Sequence, residues 1–361
     1  MRVKAFRVID TGVHDGRFNI AIDQALIEGH KDGQIADTIR FLRFRPSALI
    51  GRHQVLSSEV DCDFCARRGI EVGRRITGGG AIYLDQNQLG WELVLDRSAL
   101  GISSLAALTR EICEAVADGL GRLGVKAAFR PRNDIEVGGR KLGGTGGFFD
   151  GSTVFYQGTV LIDIDPNVMF SALKVPYAKY AKHGSASPAS RIVSLRELLG
   201  DATPALEALK AALVEGFVAR LGIEAVVGEL TDDEVERAQR IHRYEVGTDA
   251  FVREIDDPLA DDGIATASQE TAGGTVTVFV KSSGGSEPRI RSVLFTGDFF
   301  VTPPRIMLDL EAHLKETRLA EVESTVGAFF SNARVDTLSM KPAEFATAIR
   351  AATNTRIPEG V

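Results

Sequence analysis

The chain has 361 residues, 44% apolar and 25% charged, the balance of a soluble globular protein and length enough for two domains. A formal net charge of −7 argues against nucleic acid or an anionic membrane surface as partner, since both call for a basic face. Three cysteines argue against a disulfide framework; with no signal-peptide core at the start and no run of about 18 apolar residues, a cytoplasmic location without a membrane span is expected.

Alternation predicts a strand over 2–9, and Ile20, Ala21, Ala25, Leu26 and Ile27 predict a helix over 19–28. Strands are expected at 39–44 and 47–50, either side of Pro46, and then a polar turn at Gly51-Arg52-His53-Gln54. Cys62 and Cys65 form a C-x-x-C that fits a short helix before Gly69 with one thiol packed inward; it lacks the second pair or histidines that a zinc site needs. Strands follow at 81–83 and 91–95. The clearest helix lies at 103–124, where Leu105, Leu108, Ile112, Val116, Leu120 and Leu123 recur at steps of three or four, with Ser103 or Ser104 as cap and Gly124 as stop. Strands return at 134–138 and 153–163, flanking a glycine-rich loop, and helices follow at 193–199 and 203–221.

The stretch 226–265 is acidic and irregular in places, with Asp256, Asp257, Pro258, Asp261 and Asp262, and reads as a connection that holds a helix near 231–241. Strands at 274–281 and 289–296 and helices at 304–314, 317–328 and 341–352 would form a further domain. The expected division is therefore 1–225, a connecting segment 226–265, and 266–361. Irregular interleaving of strands and helices points to an α/β chain of the α+β, mixed-sheet type rather than a doubly wound sheet.

Two passages carry chemistry. In Arg74-Arg75-Ile76-Thr77-Gly78-Gly79-Gly80, guanidinium forks and a hydroxyl precede glycines whose N–H groups can cradle an anion. In Asn133-Asp134-Ile135-Glu136-Val137-Gly138-Gly139-Arg140-Lys141, a two-glycine turn would bring Lys141 back beside Asp134, the setting for a cation that polarises a carbonyl and an adjacent phosphate. From the residues alone, surface arginines before a glycine bend and a solvated hairpin lysine remain open. Neither a P-loop nor a Rossmann fingerprint is present. His14, His30, His53, His183, His242 and His313 show no metal spacing, and none is singled out as a base. Ser185, Ser187 and Ser190, ahead of Arg191, suit either phosphate donors or a polar surface turn.

The two passages in this order resemble the lipoate–protein ligase family, which shares its catalytic fold with biotin ligases and octanoyl transferases. Asn19-Ile20-Ala21-Ile22-Asp23 is similar to its early helix, Ile50-Gly51-Arg52-His53-Gln54 to its strand-end turn, and Phe155-Tyr156-Gln157-Gly158-Thr159 to the strand that closes its site. Lys182-His183-Gly184 up to Ser190-Arg191-Ile192, and Gly297-Asp298-Phe299-Phe300 with the strand before it, resemble the following loop and the small α+β accessory domain of the ATP-dependent members. The resemblance implies a biotin/lipoate ligase-like catalytic domain and a two-step reaction. Lipoate and ATP with Mg2+ would give lipoyl-AMP, and the acyl group would pass to a lysine of a lipoyl-accepting carrier protein or domain.

By the same resemblance, Lys141 would sit at the carbonyl and α-phosphate as the catalytic residue. Arg75 and Thr77 would line the adenylate and carboxylate, and Gly78, Gly79 and Gly80 would admit the acyl tail. Asp134 would orient Lys141 or help hold Mg2+, Asn133 would support its strand, and Gly158 and Thr159 would flank the reacting centre. Three positions depart from the family pattern: Leu84 where histidine is common, Gly143 where serine often stands, and Tyr156-Gln157 where histidine often precedes Gly-Thr. Rival readings are a transferase of the same fold that takes octanoate or lipoate from a protein-bound donor, and a non-catalytic lipoyl-binding protein.

Overall fold

The computed structural model describes residues 4–102, 104–174, 188–255 and 263–354. Lys182-His183-Gly184, Ser185 and Ser187 lie outside those residues, as do the aspartates of 256–262. The chain divides into two units. The first comprises Met1–Leu49, Asp61–Gly73 and Ile82–Thr248; the second comprises Ile50–Val60, Arg74–Ala81 and Asp249–Val361.

The first unit is built on β1 (Lys4–His14), α1 (Gly16–Lys31), β2 (Thr38–Phe44), β3 (Ser47–Ile50), α2 (Cys62–Arg68), β4 (Glu71–Arg74), β5 (Ile82–Leu84), β6 (Gln88–Asp96) and α3 (Leu105–Arg122). It continues through β7 (Ala128–Arg130), β8 (Asp134–Val137), β9 (Arg140–Asp150), β10 (Thr153–Leu161), α4 (Leu206–Leu221), β11 (Ile223–Val227) and α5 (Asp232–Tyr244). Eight strands form one sheet in the order β11-β1-β2-β6-β10-β9-β8-β7. β1 runs parallel to β11 and β2, while β2, β6, β10, β9, β8 and β7 pair antiparallel, giving the expected mixed sheet.

Successive strand residues point to opposite faces, and β6 shows what each face does. Leu89, Trp91, Leu93 and Leu95 enter a core with Ile112 and Val116 of α3 and Leu213 and Phe217 of α4. Full burial of each such side chain contributes roughly 1.5–3 kcal/mol. On the other face Glu92 meets Arg40 of β2 (2.9 Å) and, through it, Asp23 of α1 (2.6 Å). Arg40 is fully buried and also donates to Asn19 Oδ1 at 2.6 Å. Burial raises both carboxyls above their usual range, Glu92 furthest because Asp23 adds its charge.

Caps account for the helix bounds. The Ser104 hydroxyl accepts from the Ala107 N–H and starts α3, and the Asp61 carboxylate accepts from the Phe64 N–H and starts α2. Gly69, at φ +63°, ends α2, and Cys65 is its inward thiol.

Two expectations change. The glycine-rich segment after Lys141 is not a loop but the interior strand β9. A Cβ at Gly143 would stand 2.0 Å from the Thr159 carbonyl oxygen, and one at Gly147 would stand 2.4 Å from that of Phe155. Glycine here admits the neighbouring strand. The stretch 226–248 is likewise built into the first unit. β11 pairs with β1, and the Thr231–Glu234 capping box starts α5, whose Glu234 binds Arg7 of β1 at 2.5 Å.

The second unit contains β12 (Ala265–Thr271), β13 (Gly274–Ser282) and β14 (Ile290–Gly297) in an antiparallel sheet, with the short pair β15 (Val301–Thr302) and β16 (Thr337–Leu338). Helices α6 (Arg305–Leu314), α7 (Val322–Asn332) and α8 (Pro342–Asn354) share its core, which includes Phe295, Phe299, Leu310, Val326 and Phe345. β12 is an addition to the strands read from the sequence. Among the described residues no helix is long and apolar enough to cross a membrane.

Candidate active site

The residues singled out in the sequence fall into two sets, one in each unit. Asn133, Asp134, Lys141, Gly158 and Thr159 lie in the first; Arg75, Thr77, Gly78, Gly79 and Gly80 lie in the second.

In the first set, Gly138 and Gly139 take φ +58° and +77°, the left-handed pair that turns β8 tightly into β9. A register shift between Ile135 and Glu136 then places Glu136 opposite Lys141. Lys141 Nζ lies 2.7 Å from Asp134 Oδ1. Both side chains keep solvent access, at 42% and 28% exposure, so the pair adds little stability and stays open to a ligand. Gly144, opposite Asp134, leaves the room: a Cβ there would fall 2.7 Å from Lys141 Nζ. Asn133 precedes the strand and exchanges bonds with Thr145, whose N–H donates to the Asn133 carbonyl at 2.9 Å. Gly158 pairs with Thr145 and Trp91, and a Cβ on it would meet the Trp91 indole at 2.2 Å, so it faces the core. Alternation puts Thr159 on the opposite face, the one that carries Asp134.

In the second set the two arginines separate. Arg74 is 1% exposed and donates to the carbonyls of Gly51, Arg52, Gln54, Phe251, Val252 and Ile255; it is a backbone clamp. Arg75 folds over its own loop. Its Nη2 donates to Gly80 O at 2.8 Å and Gly78 O at 3.2 Å, and its Nε donates to Thr77 Oγ1 at 3.3 Å. Burial lowers its pKa to about 10, which leaves it a cation at neutral pH. The loop is tightly seated. A Cβ at Gly51 would lie 1.9 Å from Gly79 O, and one at Gly78 would lie 2.2 Å from Phe299 O; Gly79 stands at φ +95°.

His53 and Phe299, which the sequence reading left without a role, stack at 5.0 Å and 11° beside this loop. Burial, then Arg52 and Arg74, push the His53 pKa to about 3, so the ring is neutral. Its Nε2 is buried without a hydrogen-bond partner among the described residues. Both lie in segments that the sequence marks, the polar turn at 51–54 and the stretch 297–300, but no local pattern pairs the two rings.

No group of three or more His, Cys, Asp or Glu among the described residues has metal-holding geometry. Asp134 remains a single accessible carboxylate, which suits Mg2+ because that ion binds through one or two carboxylates together with substrate phosphates. Cys62 is half-buried, whereas the two buried cysteines are poorly placed as nucleophiles. Burial pushes Cys65 up to about 11 and raises Cys113, which packs in the first unit's core. Leu84 is buried in β5 opposite Ser47, an apolar side chain at the position of the family's common histidine.

Residues 15–218 match the family model of the lipoyl protein ligase A/B catalytic domain. The octanoyltransferase LipM of Kyrpidia tusciae is 30% identical over 263 residues, which cover 66% of this chain and 95% of that protein. The lipoate-protein ligase LplJ of Bacillus subtilis is 32% identical over 189 residues, or 52% of this chain and 55% of that one. Among solved structures, LipL1 of P. falciparum in complex with lipoate shares the fold with a TM-score of 0.70 and 16% identity, covering 98% of this chain and 100% of that one. The bi-partite lipoate protein ligase of Thermoplasma acidophilum gives 0.62 at 23% identity, covering 72% of this chain and 100% of that one.

Proposed function

Since the chain belongs to the lipoyl protein ligase A/B catalytic-domain family, an enzyme family of lipoate ligases and transferases, we propose that it activates lipoate or a close medium-chain acid with ATP and passes the acyl group to a lysine of a lipoyl-accepting domain. The observation that carries this reading is the accessible Lys141 ammonium held 2.7 Å from Asp134 on a tight hairpin.

In the first step a carboxylate oxygen of the acid attacks the α-phosphorus and pyrophosphate leaves. In the second the acceptor amine attacks the acyl carbonyl, AMP leaves and the amine gives up a proton. Negative charge grows on phosphoryl oxygen in the first step and on carbonyl oxygen in the second. A point cation preorganised by Asp134 stabilises both. The buried Arg75 guanidinium and the glycine N–H groups of its loop are suited to an anionic group and to close backbone approach. Asp134 would also hold Mg2+, which neutralises phosphate charge when bound.

Two of the three thiols are poor candidates for an acyl-enzyme: Cys65 and Cys113 are buried and their thiols are pushed up. The second reading is transfer of octanoate from a carrier-bound donor, and relatives named octanoyltransferase favour it. Exchange of labelled pyrophosphate into ATP tests the first step alone. Exchange that depends on lipoate or octanoate supports adenylation; none with either acid, from a folded protein, favours the transferase.

A further inference from the structure

The proposed role of Lys141 rests on where Asp134 holds it, and a chain of hydroxyl groups beneath the hairpin decides that. Thr145 of β9 makes the contacts that close the open end of the β8–β9 pair. Its N–H and its Oγ1 both reach the Asn133 carbonyl, at 2.9 Å and 3.0 Å, and its own carbonyl accepts from the Asn133 side-chain amide. The next residue in each strand is the reacting pair's ground: Asp134 stands opposite Gly144, the glycine over which Lys141 Nζ lies.

Thr145 is itself held. Its Oγ1 is 2.7 Å from the Tyr156 hydroxyl and 3.4 Å from Cys113 Sγ. Tyr156 is 1% exposed, stacks near Trp91 and bonds the side chain of Thr109 on α3. Burial raises the Tyr156 pKa, so the phenol keeps its proton. Donor accounting orders the chain. Each hydroxyl has one hydrogen. Thr145 gives its hydrogen to the Asn133 carbonyl and therefore accepts from Tyr156, which in turn accepts from Thr109 or from the Cys113 thiol. A buried chain aligned in one sense is stiffened by mutual polarisation, and each link left unmet is costly in the interior.

We infer that Thr145 and Tyr156 are positioning residues: through the Asn133 carbonyl they fix Asp134 and hence Lys141. The inference deepens the proposed function and rests on it for its kinetic arm only. Cys113 completes the cluster as a packed thiol, which gives its burial a role other than nucleophile.

The test compares Thr145→Val, Thr145→Ser and Tyr156→Phe in the full chain. The first readout needs no substrate. The rate at which an amine-acylating reagent labels Lys141, read by peptide mass spectrometry against other lysines, reports how Asp134 holds the ammonium. Thr145→Val and Tyr156→Phe are expected to change that rate several-fold, and Thr145→Ser to restore it. In acyl transfer, kcat should fall about tenfold for the first two while KM for the acid moves less than twofold. Wild-type labelling of Lys141 in a folded Tyr156→Phe or Thr145→Val protein would overturn the inference whether or not acyl transfer is detected. Thermal melts establish folding, and Tyr156→Phe, which removes one oxygen, decides the matter if Thr145→Val does not fold. If the wild type shows no acyl transfer while the labelling pattern holds, the proposed function fails and the positioning inference stands.

Discussion

Lys141 Nζ and Asp134 Oδ1 stand 2.7 Å apart across a hairpin whose turn is two left-handed glycines. The pair is partly exposed, so it contributes little to holding the fold. Lys141→Ala is expected to lower acyl transfer by roughly 10²–10³, the scale for losing one preorganised charge donor. Its melting temperature should stay within a few degrees of the wild type. Lys141→Arg should not rescue, because a planar fork does not replace a point charge. Acylation rates and melts on the same preparations check this, and a folded Lys141→Ala enzyme with more than a tenth of wild-type activity would remove Lys141 from its role.

Gly144→Ala tests the room under that lysine. The new Cβ would fall 2.7 Å from Lys141 Nζ and 2.9 Å from its Cε, the mobile end of a flexible side chain. The side chain can swing away at small cost, so stability should change by under about 1 kcal/mol while kcat falls at least tenfold. Urea unfolding and steady-state kinetics separate the two effects.

Gly78→Ala probes the second set. Here the new Cβ would meet backbone, the Phe299 carbonyl at 2.2 Å, and backbone cannot swing aside. A loss of roughly 1–3 kcal/mol is expected, the scale for forced overpacking. With it, KM for ATP should rise about tenfold as the Arg75 loop shifts. An unchanged KM would detach this loop from the nucleotide.

Glu311 of α6 gives the second unit a pH dependence. Burial pushes its carboxyl to about 7 from an ordinary 4.5, even though the Phe295 N–H donates to it at 2.8 Å. Below pH 4.5 the folded and unfolded forms both hold the proton. As pH rises to 7 the unfolded form releases it first, so stability falls across about pH 4.5–7 and levels off above. Glu311→Gln keeps an oxygen to accept the Phe295 N–H and should gain at most roughly 3 kcal/mol at pH 8, with no gain at pH 4. Denaturant unfolding at the two pH values reads this directly.

The Lys141 hairpin was legible in the sequence because its geometry is local: two glycines fix a turn, and the turn fixes the register. The helix over Leu105–Arg122 was legible for the same reason, through periodicity and a serine cap, and the mixed sheet through the irregular order of strands and helices. β9 was not, because glycine carries no side-chain pattern, and its need for glycine comes from β10, which presses carbonyls against it. β12 was hidden by its composition, since Ala265–Thr271 alternates but is mostly polar. The division of work between Arg74 and Arg75 was illegible in principle. Arg74 is a clamp because it meets the Val252 carbonyl, 178 residues further on. The role of Thr145 was masked by the glycines around it, which made the strand look like a loop.

The central claim is that ATP activates the acid. The most direct test is the intact mass of a purified lipoyl domain after incubation with this protein, in parallel with free lipoate plus Mg-ATP and with carrier-bound octanoate without ATP. The account predicts a lipoyl mass gain on the acceptor lysine in the first mixture and none in the second. An octanoyl gain without ATP, and no gain with lipoate and ATP, would contradict it.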